Sequence, residues 1–545
     1  MKSERVSDSE QPPSPRAAHE PLARYAGRTG AATLASRILG LARDQTLAAA
    51  FGAGNAMDAF VVAFRIPNLV RDLFAEGAMS AAFVPTFTRE LSLHGKDAAF
   101  RLGNNVINAL LIATGALVAL GIVFAHPLIA LYAGSFAAVP GKLELTGRLT
   151  RVVLPFLPMV AVAAAAMGML NSLHHYFIPA LSPAMFNIAT IAGVFALVPL
   201  MPRVGLPPIM AVAIAALVGG LGQVAIQWPS LRREGFRYRF TVDPRSPALH
   251  RVLVLMGPGT IGLAATQVNL FVNTLLATGQ GTGAASWLTY AFRLMYLPIG
   301  LFGVSIGTAV LPAVSRHATS GDVAAMRRTI ARGLALMLML NVPATLGLIV
   351  LATPIVQLLF ERGRFLPADT AATADAVRLY AVGLAGYSAV RITSPAFYAI
   401  GESRTPAIVS GVVILVNIAA SLVLVRVLGF AGLALGTSIA AMTNAALLLW
   451  RLRARLGGLD DRRLIATLAK VTAAAAAMAV AAVTILAAMN RALPGDGLIF
   501  RAGRLTISIG GALAALAAAA KLLRVDEFDA GVSEVIARVR KLLSP

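Results

Sequence analysis

"AFRIPNLVRDLFAEGAMSAAFVPTFTR" (Ala63–Arg89) returns in altered form as "AFRLMYLPIGLFGVSIGTAVLPAVSR" (Ala291–Arg316). Both stretches open Ala-Phe-Arg. In both, a Leu-Phe pair places its Phe, Phe74 or Phe302, nine residues after that arginine. Both close Pro-x-x-x-Arg, at Pro85–Arg89 and Pro312–Arg316, after a slippage of one residue. A fainter echo, Asn187-Ile-Ala against Asn417-Ile-Ala, carries little weight alone. The chain reads as a duplication, and the fold depends on what was duplicated.

The duplicated material is a set of apolar runs. Of 545 residues, 57% are hydrophobic and 13% charged, against about 25% charged in a soluble domain. A spanning helix needs roughly 20 apolar residues, and helices satisfy their own backbone in lipid. We read about fourteen spans by that length rule. The first half holds 29–51, 56–88, 100–132, 147–172, 178–201 and 207–229. The second holds 248–278, 284–315, 327–360, 371–400, 405–427 and 431–453, followed by Ala-rich 464–489 and 500–523. The repeated stretches are then the second and eighth spans, matching places in two six-span halves. Six is even, so both halves enter from one side, as parallel repeats about an axis along the membrane normal.

The expected organisation follows. Residues 1–28, polar and rich in Pro, Ser and Arg, form a disordered cytoplasmic tail without a signal-peptide core. An N-lobe takes 29–230, a cytoplasmic linker 231–247 and a C-lobe 248–455. Two extra helices take 456–524, and 525–545 forms an amphipathic cytoplasmic tail.

The formal net charge is +22. The basic residues gather in alternate connections: Arg89, Lys96 and Arg101; Arg232 through Arg251; Arg316, Arg327, Arg328 and Arg332; Arg451 through Arg463. That alternation places both termini in the cytoplasm. It accounts for the basic excess without nucleic acid. The absence of cysteine excludes disulfides, thiolate metal sites and cysteine nucleophiles. His174 and His175 sit at a span end with no acid or cysteine beside them in sequence, and read as surface residues. Phosphate loops, histidine metal spacings and nucleophile elbows are missing, so no catalytic residue, metal or cofactor is expected.

The informative charges lie inside the spans. Span one holds Arg37, Arg43 and Asp44; span two holds Asp58, Arg65, Arg71, Asp72 and Glu76; span eight holds Arg293. Each costs at least about 2.5–3.5 kcal/mol in lipid, so it needs a partner, water or a ligand. Arg37 and Asp44 share a helix face about two turns apart. Asp58, Arg65 and Asp72 also step by seven, across the bend expected at Pro67. Asp44 and Asp72 adjoin Arg43 and Arg71, but neighbours on a helix point apart. Arg65 and Arg89 read as structural or snorkelling. Arg37, Arg43, Arg71 and Arg293 read as lining a wet cavity with excess positive charge, suited to phosphate or carboxylate. Asp44, Asp58 and Glu76 read as helix-locking partners or gates.

The stretch "SRILGLARDQTLAAAFGAGNAMDAFVVAFRIPNLVRDLFAEGAMSAAFVPTF", from Ser36, resembles the first two helices of the MurJ (MviN) family of lipid II flippases. The likeness continues through "IPALSP" (Ile178–Pro183), the eighth span, and "LLFERGRF" (Leu358–Phe365). It implies the fold of the multidrug/oligosaccharidyl-lipid/polysaccharide exporter superfamily. That is an all-α polytopic protein with two six-helix lobes around a central cationic cavity, and two C-terminal helices forming a lipid-tail groove. The implied substrate is lipid II, an undecaprenyl diphosphate carrying a disaccharide-pentapeptide. It would be flipped across the bacterial inner membrane by alternating access. The family's head-group arginines fall on Arg37, Arg43, Arg71 and Arg293, and its essential acids on Asp58 and Glu76; Ser36 also matches. The implied partners are lipid II, membrane lipids and cell-wall synthesis machinery, around a monomer.

Two departures stand out. Phe292 and Tyr296 replace acids that some members carry around the eighth-span arginine. Some members bind a cation through carboxylates on helices seven and eleven, whereas spans 248–278 and 405–427 contain no Asp or Glu. The alternatives are an exporter of another lipid-linked oligosaccharide or small molecule, a glycosyltransferase on polyprenyl phosphate, and a scaffold. A drug exporter should favour cavity acids, a glycosyltransferase needs a carboxylate-bearing large loop, and a scaffold has no use for central arginines.

Overall fold

The computed structural model describes residues 15–72 and 82–529. Among them regular structure is helical. In chain order the helices are α1 (Pro15–Phe51), α2 (Asn55–Arg71), α3 (Val84–Val123), α4 (Ala125–Ala133), α5 (Lys142–Val153) and α6 (Phe156–Ser172). Then come α7 (Phe177–Ala196), α8 (Met210–Arg233), α9 (Pro247–Thr278), α10 (Ala284–Pro298), α11 (Val304–Thr319) and α12 (Val323–Phe360). The series ends with α13 (Pro367–Ala381), α14 (Leu384–Ala399), α15 (Arg404–Leu428), α16 (Phe430–Leu456), α17 (Asp461–Ala492) and α18 (Leu498–Leu522).

Among the described residues nine helical segments are long and apolar enough to cross a membrane, with α5 and α6 together making one. Spans read as single runs are broken in identifiable places. The eighth is α10 and α11 joined by a π-helical turn at Ile299–Gly303, next to Pro298. The tenth breaks between α13 and α14, where Gly383 lies against Ser438 of α16. In the other direction α3 is two helices joined at Gly95, whose φ of 78° reverses the chain between the second and third spans. Only glycine holds such a conformation without strain. The polar stretch expected as a disordered tail is helical from Pro15 on, because α1 begins there; residues 1–14 lie outside the described residues. The 525–545 tail is described only to Asp529.

The chain packs as two compact units that cut across the sequence halves. The first ends α1 at Thr46, resumes from Pro67 to Val123, and runs again from Arg151 to Thr260. The second takes Leu47–Ile66, Phe124–Thr150 and everything from Ile261 onward. Pro67, buried inside α2, thus stands where that helix passes from one unit to the other.

Helices in lipid gain little from apolar burial against one another, so close packing of small residues must hold them. In the first unit α6 brings a run of buried alanines, Ala161 and Ala163–Ala166, against α3 and α8. Phe83, Phe87, Phe100 and Phe236 form a chain of ring contacts with centroids 5.5–6.4 Å apart. The second unit has one core from α11, α12, α14, α15 and α16 and another where α17 and α18 pack against α12. Arg501 of α18 also pairs with Glu361, at the end of α12, at 3.1 Å.

Candidate functional site

The expected charges divide between the units. Ser36, Arg37, Arg43, Asp44 and Arg71 belong to the first, and Asp58, Arg65 and Arg293 to the second. Glu76 lies outside the described residues.

In the first unit Arg43 is 7% exposed and Asp44 4%. Arg43 donates Nε and Nη2 to one oxygen of Asp44, at 3.1 and 2.8 Å. Its Nη1 donates to Asn187 Oδ1 at 3.0 Å, and the guanidinium lies 5.3 Å from the Phe186 ring centroid. Asn187 Nδ2 in turn donates to the Ser36 carbonyl at 3.1 Å, fastening α7 across two turns of α1. Arg71 repeats the motif: Nε and Nη2 reach Asp72 Oδ1 at 3.1 and 2.7 Å, with the side chains about one-third and one-quarter exposed. The expectation that these aspartates point away from their arginines is therefore wrong. The rule of separated faces describes where Cβ atoms point. A guanidinium on three methylenes can fold round the helix to a carboxylate one residue on. Arg37 differs: it is exposed, with no side-chain hydrogen bond or ion pair among the described residues.

In the second unit Asp58 is fully buried and accepts four bonds. Lys142 Nζ lies at 2.8 Å, Gly283 N at 2.7 Å, and Ser286 N and Oγ at 3.1 and 2.7 Å. The carboxylate thereby caps the N-terminus of α10, where unpaired N–H groups favour a negative charge. Lys142, equally buried, rests 4.1 Å from the Phe136 ring centroid. Around this knot the last turns of α1 and the first turns of α2 are stitched to the connections after α9 and α12. Arg364 N donates to the Ala49 carbonyl at 2.9 Å, and Thr282 Oγ1 to Asn55 Oδ1 at 2.8 Å. The approach is so close that a Cβ on Gly52 would strike the Arg364 carbonyl, and one on Gly363 the Ala49 carbonyl; both glycines have positive φ. Lys142, Gly283 and Ser286 were not singled out by sequence.

Asn417, the echo of Asn187, joins a neutral network instead. Its Nδ2 donates to Asn269 Oδ1 and, at 3.4 Å, to Asn273 Oδ1. Asn273 donates to Thr437 Oγ1 at 3.1 Å, and Ser421 Oγ donates to Asn273 Oδ1 at 3.3 Å. These amides and hydroxyls are committed to one another, and among the described residues no carboxylate joins them. The donor set does not fit the carboxylate-held cation that the resemblance implies for some members.

His175 has a partner that its sequence neighbourhood does not reveal: its Nε2 lies 2.7 Å from Glu234 Oε1, at the end of α8. Lys96 Nζ donates to the other oxygen at 2.8 Å. The Lys96 and His175 hydrogen bonds hold the Glu234 carboxyl below the usual carboxylate range.

Comparison with known proteins fits this arrangement. The family described as lipid II flippase MurJ matches residues 47–497. The probable lipid II flippase MurJ of Rhizobium meliloti (strain 1021) is 36% identical over 460 residues, covering 83% of this chain and 84% of that protein. The lipid II flippase MurJ of Burkholderia cenocepacia is 35% identical, covering 78% and 82%. A solved lipid II flippase MurJ in an inward closed conformation superposes with a TM-score of 0.75 at 27% identity, over 91% of this chain and 99% of that one. An inward-facing multidrug resistance MATE transporter of the MOP superfamily, at 17% identity and TM-score 0.65, shares the fold. The chain belongs to the lipid II flippase MurJ family.

Proposed function

We propose that this multi-pass membrane protein flips lipid II from the cytoplasmic to the outer leaflet of the bacterial inner membrane. The observation that carries the reading is the set Arg37, Arg43 and Arg71, brought by α1 and α2 into a single packing unit. A lipid diphosphate has a head too polar for hydrocarbon and a tail too apolar to leave it. Guanidiniums replace part of the hydration the head loses, and a side opening leaves the tail in lipid.

The ion pairs refine which groups do this. Arg43 spends three of its five N–H groups on Asp44 and Asn187, so it anchors α1 to α7 and offers the remaining two. Arg37, exposed and unpaired among the described residues, and Arg71, on the more open pair, supply the accessible positive charge. Arg293 is the second half's counterpart.

With both termini cytoplasmic, as the basic connections argue, the Asp58 knot lies toward the outer face. It then works as the outer gate, and its bonds break each time the protein opens outward. Pro67 and Thr46, where α2 and α1 pass between units, are where the bending falls. Helices α17 and α18 flank the path of the undecaprenyl tail. Undecaprenyl-linked lipid II is preferred over another lipid-linked glycan because relatives that cover about four-fifths of this chain carry the name lipid II flippase.

The test is replacement of the host flippase by this chain, with lipid II accessibility outside the membrane as readout. Restored accessibility supports the proposal. A well-expressed chain that restores none points to another lipid-linked glycan.

A further inference from the structure

Three asparagines of α3 grip the connection between α8 and α9. Asn104 donates Nδ2 to the Arg237 carbonyl and accepts from Arg239 N, each at 3.0 Å. Asn105 does the same with Asp243, accepting from its N–H and donating to its carbonyl at 2.9 Å each. Asn108 donates to the Arg239 and Thr241 carbonyls at 2.9 and 2.8 Å, and accepts from Tyr238 Oη at 2.7 Å. All three amides are at most 5% exposed. Together the three amides fasten 237–243, which turns tightly between Arg239 and Thr241, to α3.

The clamp builds a pocket. A cavity of about 610 Å³ opens beside the end of α8, lined by Trp228, Arg232, Gly235, Phe236, Arg237 and Tyr238. Trp228 packs on Phe236 and Tyr238, with ring centroids 5.7 and 6.2 Å apart. Arg232 and Arg237 are exposed, and neither side chain has a hydrogen bond or ion pair among the described residues. The nearby carboxylate, Glu234, is spent on Lys96 and His175. The site therefore offers unpaired guanidiniums over an aromatic floor, where an apolar helix meets a basic connection. Trp and Tyr prefer that depth of a membrane, and clustered arginines there attract anionic lipid heads.

We propose that this pocket binds the phosphate of a lipid head group, separately from the arginines of α1 and α2. The guanidiniums of Arg232 and Arg237 take the phosphate oxygens, and the Trp228 and Tyr238 rings cover the root of the lipid tail. Clamping matters because it fixes the backbone that carries Arg237 and Tyr238, so the site needs no ordering when lipid arrives. The phosphate could belong to a bilayer phospholipid or to a polyprenyl carrier.

The experiment is native mass spectrometry of the full chain in neutral detergent. The probes are dioctanoyl phosphatidylglycerol, farnesyl diphosphate and, as a phosphate-free control, dioctanoylglycerol. The intact chain should retain at least one phosphate-bearing probe and not the control. R232Q combined with R237Q should weaken that complex about ten-fold or more. Loss confined to phosphatidylglycerol identifies a phospholipid; loss confined to the diphosphate identifies a polyprenyl carrier. Binding to the intact chain should also weaken between low and high salt, which reads the same charge dependence without substitution. Equal retention of the control, unchanged binding in the double variant, or binding indifferent to salt would each overturn the proposal.

Discussion

Asn187 on α7 and Asn417 on α15 each open an Asn-Ile-Ala triplet, and their surroundings differ in kind. Asn187 is bonded to an arginine already paired with an aspartate. Asn417 sits among Asn269, Asn273 and Ser421, with no charge in the network. The two amides sit in different chemistry. The first unit holds Arg43 and Arg71 with acids, and Arg43 with an amide as well. The second ties α9 to α15 and α16 through hydrogen bonds that are neutral among the described residues. The ion pair costs more to desolvate and more to break, so the two networks should respond unequally to substitution.

The largest loss is expected where charges are deepest. D58A strips four bonds from the α10 end and leaves Lys142 buried without its counter-charge. It should lower stability by about 3–5 kcal/mol, read by thermal unfolding in detergent, and should abolish complementation. Next comes the comparison itself. N187A removes a bond to a charged donor and should cost about 1.5–3 kcal/mol; N417A, removing neutral bonds, should cost nearer 1 kcal/mol. Equal costs would mean that the two halves are held alike. The smallest effect belongs to Glu234. Its carboxyl is held below the usual range, so its bonds to Lys96 and His175 contribute fully above the ordinary carboxylate pKa of about 4.3 and are lost as pH falls through the lower folded value. E234Q should flatten the acid limb of a stability–pH curve and, for an exposed cluster, change neutral-pH stability by under about 1 kcal/mol.

Much of the fold was legible because lipid imposes lengths: apolar runs fix where helices lie. The breaks within spans were less visible, since a π turn after Pro298 leaves hydropathy unchanged. At the site, residue types were legible and partners were not. Asp58 meets Lys142 from 84 residues away and Gly283 from 225, beyond any periodicity. Arg43 and Asp44 were misjudged for the opposite reason, because adjacency hid the reach of a long side chain. The α3 asparagines gave no signal at all, since amides that fasten a distant connection have no spacing rule.

The central claim is that accessible guanidiniums on the first unit receive the lipid diphosphate. The most direct measurement is the lipid II flipping rate in cells depleted of their own flippase and supplied with R37A or R71A at matched abundance. Arg37 has no side-chain partner among the described residues, so R37A should fold normally and flip slowly. R71A should flip slowly as well. Rates equal to the intact chain in both variants would contradict the account.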